Sequence, residues 1–381
     1  MIEFDTYASP EDEVRTALEA GADHLILEDS KLSVRCYADD YATAGFEKYK
    51  VLADLARSIR ADVQLSVNID KLVHDRHHPL LTAAAQRIQA AEIDCVRVQD
   101  PGVAVFLAKH GSFRFHLNTE TGNHNFNGAA YYADNQQVQF ERQVLSNDWT
   151  ADAMAAFKQD AETEIEFQVH GPVLLQYTDR RLMAGYEVTK NDAVGTADGM
   201  APISQRLADV EGRAYPLFDN PHGHFMYASF EKALYKHIPR LVETGIDAWL
   251  FDGRGESAEY LTTSMQIYRA ALETDACKEA DYDKLITAAR RQLKPGFFIA
   301  NNTDYVFEAD AKEHAARQVT ARVVDSVKGV SLVLECLEPR SNGLYQIHSP
   351  EDKQKQLNNI SLRNLSDEQI ERSEVGQFVK I

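Results

Sequence analysis

Gly21-Ala22-Asp23-His24-Leu25-Ile26-Leu27-Glu28 is the phrase on which the fold of this chain turns. A glycine able to end a helix is followed by an acid and then a short apolar run, as a buried parallel strand would read. Two later phrases repeat it: Ala91-Glu92-Ile93-Asp94-Cys95-Val96-Arg97-Val98 and Thr244-Gly245-Ile246-Asp247-Ala248-Trp249-Leu250-Phe251. Each closes a helix and opens a strand. Ahead of the first, Ser9-Pro10-Glu11-Asp12-Glu13 reads as a helix start running to about Ala20. Serine caps free amides, proline tolerates the first helical position, and acids suit the positive helix end.

Working outward, further strands are expected at Ile2 to Phe4, Val63 to Asn68, Phe113 to Asn118, Val138 to Arg142 and Ile165 to Val169, most of them followed by a helical stretch. With the three repeats that makes eight. Alternating strands and helices imply a parallel sheet with right-handed crossovers, and eight units are the number that closes an α/β (β/α)8 TIM-like barrel. An open doubly wound sheet is the rival, but no G-x-G-x-x-G follows the first strand and no G-x-x-x-x-G-K-[ST] occurs.

The regular beat fails at about 186–229, where Gly195, Gly199, Pro202, Gly212, Pro216, Pro221 and Gly223 interrupt every candidate element. This reads as a long insertion after the seventh strand, of the kind that serves as a lid or partner-binding loop. The expected organisation is a barrel over 1–275, a small C-terminal extension over 276–350 and a polar tail over 351–381. Within the extension, Tyr282 to Leu293 looks helical, and the β-branched run Val330 to Leu337 can pair with Gly343 to Ile347. The tail is polar enough to be loosely held or to form a partner-bound helix.

The 381 residues carry 40 Lys plus Arg against 59 Asp plus Glu, a formal charge of −19. A protein gripping nucleic acid by itself needs a basic face, because neutralised phosphates and released counterions supply most of the affinity. Unaided nucleic-acid binding is therefore disfavoured. At 44% hydrophobic and 26% charged, the composition suits a large globular core. Met1 to Pro10 lacks the basic stretch and apolar run of a secretory signal, and no run of about 18 apolar residues offers a membrane span. Cys36, Cys95, Cys277 and Cys336 lie far apart with no C-x-x-C pair, which argues against a disulfide framework or a local metal knuckle. A cytoplasmic protein without membrane contact is expected.

In such barrels reactive groups project from the C-terminal strand ends. Those ends carry Glu28 with Arg35, Asn68 and Asp70, Gln99 and Asp100, Asn118 with Thr119 and Glu120, Arg142, His170, and Asp252 with Arg254. Such a ring can hold a small acid and move protons around it, although some of its members serve equally well as helix caps or mutual partners. His222-Gly223-His224 and His77-His78 resemble metal pairs but lack partners at zinc spacing, so no metal site is expected. Neither H-E-x-x-H nor G-x-S-x-G is present, and no hydrolase mechanism follows from local motifs.

Glu166-Phe167-Gln168-Val169-His170-Gly171-Pro172-Val173-Leu174, continuing through Tyr177-Thr178-Asp179-Arg180-Arg181-Leu182-Met183, resembles the signature region of the collagenase-like peptidase family U-32. Further phrases agree in order, among them Ser33-Val34-Arg35-Cys36-Tyr37-Ala38-Asp39, Val98-Gln99-Asp100-Pro101-Gly102-Val103, His116-Leu117-Asn118-Thr119-Glu120, Asp252-Gly253-Arg254 and Pro295-Gly296-Phe297-Phe298. The resemblance implies a barrel, and in typical members four cysteines binding a four-iron four-sulfur cluster. Here the two signature positions are Leu174 and Arg181, and the position before His237 that is often Cys is Ala233. No cluster of the usual kind is expected, since such clusters need thiolates.

Within the family, the resemblance is to the shorter, TrhP-type branch of the tRNA uridine-hydroxylation pair. That branch implies 5-hydroxyuridine formation at the wobble position, prephenate as the hydroxyl source, a cluster-bearing paralogue as partner, and tRNA reached through the complex. The expected function is thus a subunit of a tRNA-hydroxylating assembly. Two alternatives stand beside it: a collagenase-like peptidase, as the family name suggests, and a non-enzymatic scaffold. The expected pocket residues are Arg35, Asn118, Arg142 and Arg254 for binding, the arginines through paired hydrogen bonds to carboxylates, with His170 and Glu120 for proton transfer.

Overall fold

The computed structural model describes residues 2–35, 48–118, 120, 122–134, 137–183, 203–208, 214–301 and, beyond these, the strands named below. Two compact units divide the chain at Asn301/Asn302.

The first unit contains the expected closed barrel. In chain order, β1 (Glu3–Tyr7) leads to α1 (Glu11–Ala20), β2 (His24–Leu27), α2 (Lys48–Ile59), β3 (Gln64–Ile69) and α3 (His78–Ala90). Next come β4 (Cys95–Val98), α4 (Pro101–Ala108), β5 (Arg114–Asn118), α5 (Phe126–Ala133), β6 (Phe140–Val144), α6 (Ala151–Asp160) and β7 (Glu164–Thr178). Strands β1 to β7 pair in sequence order, and β11 (Ala248–Phe251) closes the ring by pairing in parallel with both β1 and β7. Gly21 ends α1 in the left-handed conformation, φ 98°, and its N–H bonds Leu18 O while that of Ala22 bonds Ala17 O. Only glycine takes that φ without strain; Gly245 at φ 70° ends the helix of the third phrase, while in the second Glu92 takes the left-handed place at φ 56°.

The barrel wall follows the period of two. Phe4, Leu25, Leu27, Val67, Val96, Val98, Phe115, Leu117, Phe140, Ile165, Phe167, Trp249 and Phe251 belong to one core cluster that also holds buried residues of the surrounding helices, such as Val14, Leu52, Ile88 and Met265. The alternate residues include Asp5, His24, Ser66, Arg97, His116 and Glu166, joined by Arg142, which an extra residue at Glu141 brings into register with His116, and all of these are buried. The hydrophobic layer therefore lies between strands and helices, while the interior of the barrel is filled largely by hydrogen-bonded charge.

The stretch expected to be an uninterrupted loop is different. β7 runs on past the barrel and pairs antiparallel with β10 (Gly223–Ala233), which pairs with β9 (Ala214–Asn220), which in turn pairs with β8 (Ile203–Ala208). Residues 184–202 and 209–213 lie outside the described set. Pro221 to Gly223 break no element; they make the β9–β10 turn, where Gly223 has φ 144° and a Cβ would stand 2.0 Å from Thr178 O. Turn residues counted as interruptions are what an antiparallel hairpin needs.

The unit also extends beyond the expected boundary at 275. After α7 (Ile238–Glu243) and β11, α8 (Ala258–Thr274) and α9 (Glu279–Ala288) follow, and β12 (Leu293–Lys294) pairs with β10. Leu285, Leu293 and Phe298 are buried in the barrel's own core, which holds these residues to it.

In the second unit, Asn302–Ile381, the described residues are β-strands. β13 (Ala321–Val327), β14 (Ser331–Cys336), β16 (Gly343–His348), β17 (Lys355–Ile360), β18 (Leu362–Arg363), β19 (Gln369–Ile370) and β21 (Phe378–Lys380) form one sheet in the order 17-16-13-14-21-18-19. β15 (Arg340–Ser341) pairs with β20 (Arg372–Ser373). The two strands expected near 330–347 are present but do not pair with each other: β13, which ends just before β14 in sequence, lies between them, antiparallel to β14 and parallel to β16. The tail expected to be loosely held or helical instead supplies β17 to β21, because ladder hydrogen bonds come from the backbone and tolerate polar side chains.

Candidate functional site

The C-terminal ends of the strands gather a dense polar cluster. Asp252 follows β11 and accepts from Arg254 Nε (2.9 Å) and Nη2 (2.6 Å) and from Arg35 Nη1 (3.3 Å). Arg35 also pairs with Glu120, just past β5. Arg254 Nη1 reaches Glu28 at 2.9 Å, and its guanidinium lies 3.4 Å from the centroid of the Tyr7 ring at the end of β1. Asn68 donates to Glu28 and Asp70, each at 3.0 Å, and Asp70 accepts from the Val34 amide at 2.7 Å. Arg35, Asn68, Asn118, Asp252 and Arg254 are all buried.

Electrostatics follow from that packing. Burial pushes Glu28 upward, toward its neutral form, despite Arg254 beside it. Burial also opposes ionisation of Asp252, but the Arg254 and Arg35 guanidiniums more than offset it and hold its carboxyl below the usual range. Tyr7 is raised to about 12, chiefly by burial.

The β7–β10 arm covers this mouth. Leu174, Phe225 and Tyr227 from the arm pack with Val34, and Tyr177 and Phe218 pack against them. The arm's turn is pinned where His222 contacts Ser30 O (2.6 Å) and Lys71 Nζ (2.8 Å), and where Asn220 donates to Val34 O (2.8 Å). A cavity of about 10 Å³ remains, lined by Val34, Arg35, Asp70, Gln99, Asn118, Glu120, Leu174 and Tyr177. It accommodates about one water-sized group.

Of the residues singled out from sequence, Arg35, Asn118, Glu120 and Arg254 meet at this mouth, and Gln99 lines it. Asp100 is instead the N-cap of α4, accepting from Gly102 N. Thr119 lies outside the described residues. Arg142 is elsewhere. β6 continues to Val144, so Arg142 is not terminal, and its side chain contacts Glu3 Oε1 and Asp5 Oδ2, each at 2.8 Å, and Glu164. It belongs to a floor network at the opposite end of the barrel, where Arg97 grips Glu166 with both terminal nitrogens and His24 bridges Asp5 and Ser66.

His170 points out of the barrel. Pairing jumps from Leu250↔Gln168 to Phe251↔His170, so Val169 is an extra residue that reverses the alternation. The imidazole lies among Phe251, Tyr260 and Tyr268, with Nδ1 3.4 Å from the Tyr268 hydroxyl, and burial depresses its pKa to about 3. At neutral pH it is an uncharged group in the outer wall. Two mouth residues, Tyr7 and Tyr177, are absent from the set expected from sequence. Tyr7 was recoverable from the alternation Glu3-Phe4-Asp5-Thr6-Tyr7, whereas Tyr177 reaches the site only through the folding back of the arm.

Among the described residues one group of His, Cys, Asp and Glu has metal-holding geometry: Glu3, Asp5 and His24. Arg142 Nη1 already bridges Glu3 and Asp5 there. At the positions where the family resemblance implies thiolates, Leu174 is packed against Phe225 and Tyr227, Ala233 is buried in the core, and Arg181 supplies a guanidinium. Cys95 is buried, its thiol pushed up to about 12 by burial, and Cys277 is exposed. These residues do not fit an iron–sulfur cluster.

A model of peptidase family U32 matches residues 11–307. The chain belongs to that family. As a U32 member it is similar to tRNA hydroxylation protein P2 of Bacillus subtilis, 24% identical over 74% of this chain and 92% of that protein. It is also similar to tRNA hydroxylation protein P1 of the same organism, at 20% identity over 75% and 68%. The tRNA hydroxylation protein P of Haemophilus influenzae is 22% identical over 76% and 72%. As for membranes, no helix among the described residues is long and apolar enough to cross one.

Proposed function

We propose that this U32 protein is a subunit of a tRNA-hydroxylating assembly that forms 5-hydroxyuridine at the wobble position. It works in the cytoplasm with a paralogue that carries the iron–sulfur cluster, and prephenate is the hydroxyl source of the assembly. The observation that carries the reading is similarity over 92% of the length of a protein named for tRNA hydroxylation, in an organism that also holds a second, related one. Two features support it. The positions that would supply thiolates hold Leu174, Arg181 and Ala233, so redox chemistry falls to the partner. The formal charge of −19 suits docking on a basic protein and leaves the RNA contacts to it. In this role the mouth residues bind and orient a small group, and Glu120, whose Oε1 has no hydrogen-bond partner, is the acid or base within reach of it.

A peptidase reading would require a nucleophilic hydroxyl or thiol activated by a base; where His222 meets Ser30 at the mouth, the ring nitrogen contacts the backbone oxygen. Deleting the gene and measuring 5-hydroxyuridine in tRNA hydrolysates by mass spectrometry tests the proposal. The expected result is loss of the nucleoside, restored by the intact gene; an unchanged level overturns it.

A further inference from the structure

The sequence places Arg35 and Arg254 where carboxylate-binding arginines would be expected, yet in the folded protein their charge is already answered. Arg254 is shared between Asp252 and Glu28, and Arg35 between Asp252 and Glu120. With Asp70 added, four carboxyl groups surround two guanidiniums, and even with burial favouring the neutral form of Glu28 the balance stays acidic. The unsatisfied groups have the same bias. Asn68 Oδ1, Asn118 Oδ1 and Glu120 Oε1 are buried acceptors with no hydrogen-bond partner, and the Tyr7 hydroxyl beside Arg254 is likewise without one. Asn118 is 2% exposed and the Glu120 side chain 9%, and both line the mouth cavity.

Buried acceptors without donors are costly, so such a site binds what supplies the donors. An incoming carboxylate supplies none and adds charge to an acidic surplus, a juxtaposition that works against binding. An ammonium or a metal ion would have to compete for Glu120 and Asp252 with the guanidiniums that already hold them. A neutral hydroxyl group meets neither obstacle.

We propose that the barrel mouth takes a neutral, hydroxyl-rich ligand of the ribose class, whose hydroxyls donate to Asn118 Oδ1 and Glu120 Oε1, and that it rejects carboxylates. Since the cavity admits about one water-sized group, a nucleoside enters with the arm carrying Leu174 and Tyr177 displaced. The inference deepens the proposed function: this chain contacts the sugar of a nucleotide, and the dicarboxylate prephenate is held by another member of the assembly.

Isothermal titration calorimetry on the full chain tests this with three probes, uridine, 2′-deoxyuridine and prephenate. Uridine should bind in the millimolar range or tighter, 2′-deoxyuridine at least about fivefold more weakly for loss of one hydrogen bond, and prephenate should give no saturable heat. Asn118→Leu should weaken uridine about tenfold. Should that variant misfold, the ranking of the three ligands on the unaltered protein decides alone. Prephenate binding more tightly than uridine, uridine failing to bind, or equal binding of the two nucleosides overturns the inference. Because the readout is binding, its failure is separable from that of the tRNA role: lost 5-hydroxyuridine on gene deletion with no uridine binding would sink this inference only.

Discussion

Replacing Arg142 by methionine separates a binding role from a structural one. The guanidinium is 3% exposed and hydrogen-bonds three carboxylates, Glu3 and Asp5, each at 2.8 Å, and Glu164, with Glu166 at 4.0 Å held chiefly by Arg97. Glu164 is half exposed and Glu3 near the surface, so both can regain water; Asp5 is fully buried and cannot. Removing one partner of a buried ion pair costs about 3–5 kcal/mol, and with two of the three acids able to rehydrate the lower end applies, about 3 kcal/mol. At about 2–4 °C per kcal/mol for a domain of this size, the melting temperature should fall by roughly 10 °C.

The loss should also depend on pH. Burial lifts Asp5 to about 7 even with Arg142 and His24 opposing it, and without Arg142 it rises further. A carboxyl with a raised folded-state pKa binds a proton that the unfolded chain releases, so its contribution to stability declines as pH rises from about 4 through the folded value. Below pH 7 Asp5 is largely neutral in both proteins, and the gap between them should widen from pH 5 to pH 8. Urea unfolding at those two pH values measures it, and adding Asp5→Asn should remove the pH-dependent part. The floor assignment is refuted if Arg142→Met leaves stability unchanged at pH 8 while abolishing ligand binding at the mouth.

His170→Phe should change stability by less than about 1 kcal/mol, because giving up the weak hydrogen bond at Nδ1 is offset by removal of an unpartnered buried Nε2. 5-Hydroxyuridine formation should persist, and its loss in a variant with wild-type melting would restore a proton-transfer role. Gly171→Ala should cost about 1–3 kcal/mol in backbone strain alone at φ 118°. Its Cβ would also stand 2.2 Å from Asp252 O and displace the carboxylate that holds Arg35 and Arg254, so calorimetry should show ligand affinity falling more than stability does. Burial opposes ionisation of Glu166, but Arg97 and Arg142 hold it at about 2. The stability it contributes is present above about pH 4.5 and lost as pH falls toward 2. Glu166→Gln should therefore flatten the acid limb of stability measured by urea unfolding, and an unchanged limb would refute the pairing.

Local pattern determined much of this protein. The phrase repeated at Gly21, Ala91 and Thr244 marks helix stops followed by strands, and strand count with alternation implies a closed barrel, because period and turn chemistry act between residues close in the chain. The mouth was legible for the same reason: Glu28, Asn68, Asn118 and Asp252 stand at strand ends that sequence periodicity can locate. What tertiary structure alone decided is where long side chains go and what neutralises them. Arg142 differs from a rim residue by two positions of strand length, His170 by one bulged residue, and both depend on register with a neighbouring strand. Tyr177 arrives at the mouth through a hairpin whose turn residues read, along the chain, as breaks. That Arg35 and Arg254 are answered by Glu28, Glu120 and Asp252 is a fact of distance between residues up to 226 positions apart, and charge compensation falls off with separation in space, which sequence order does not specify.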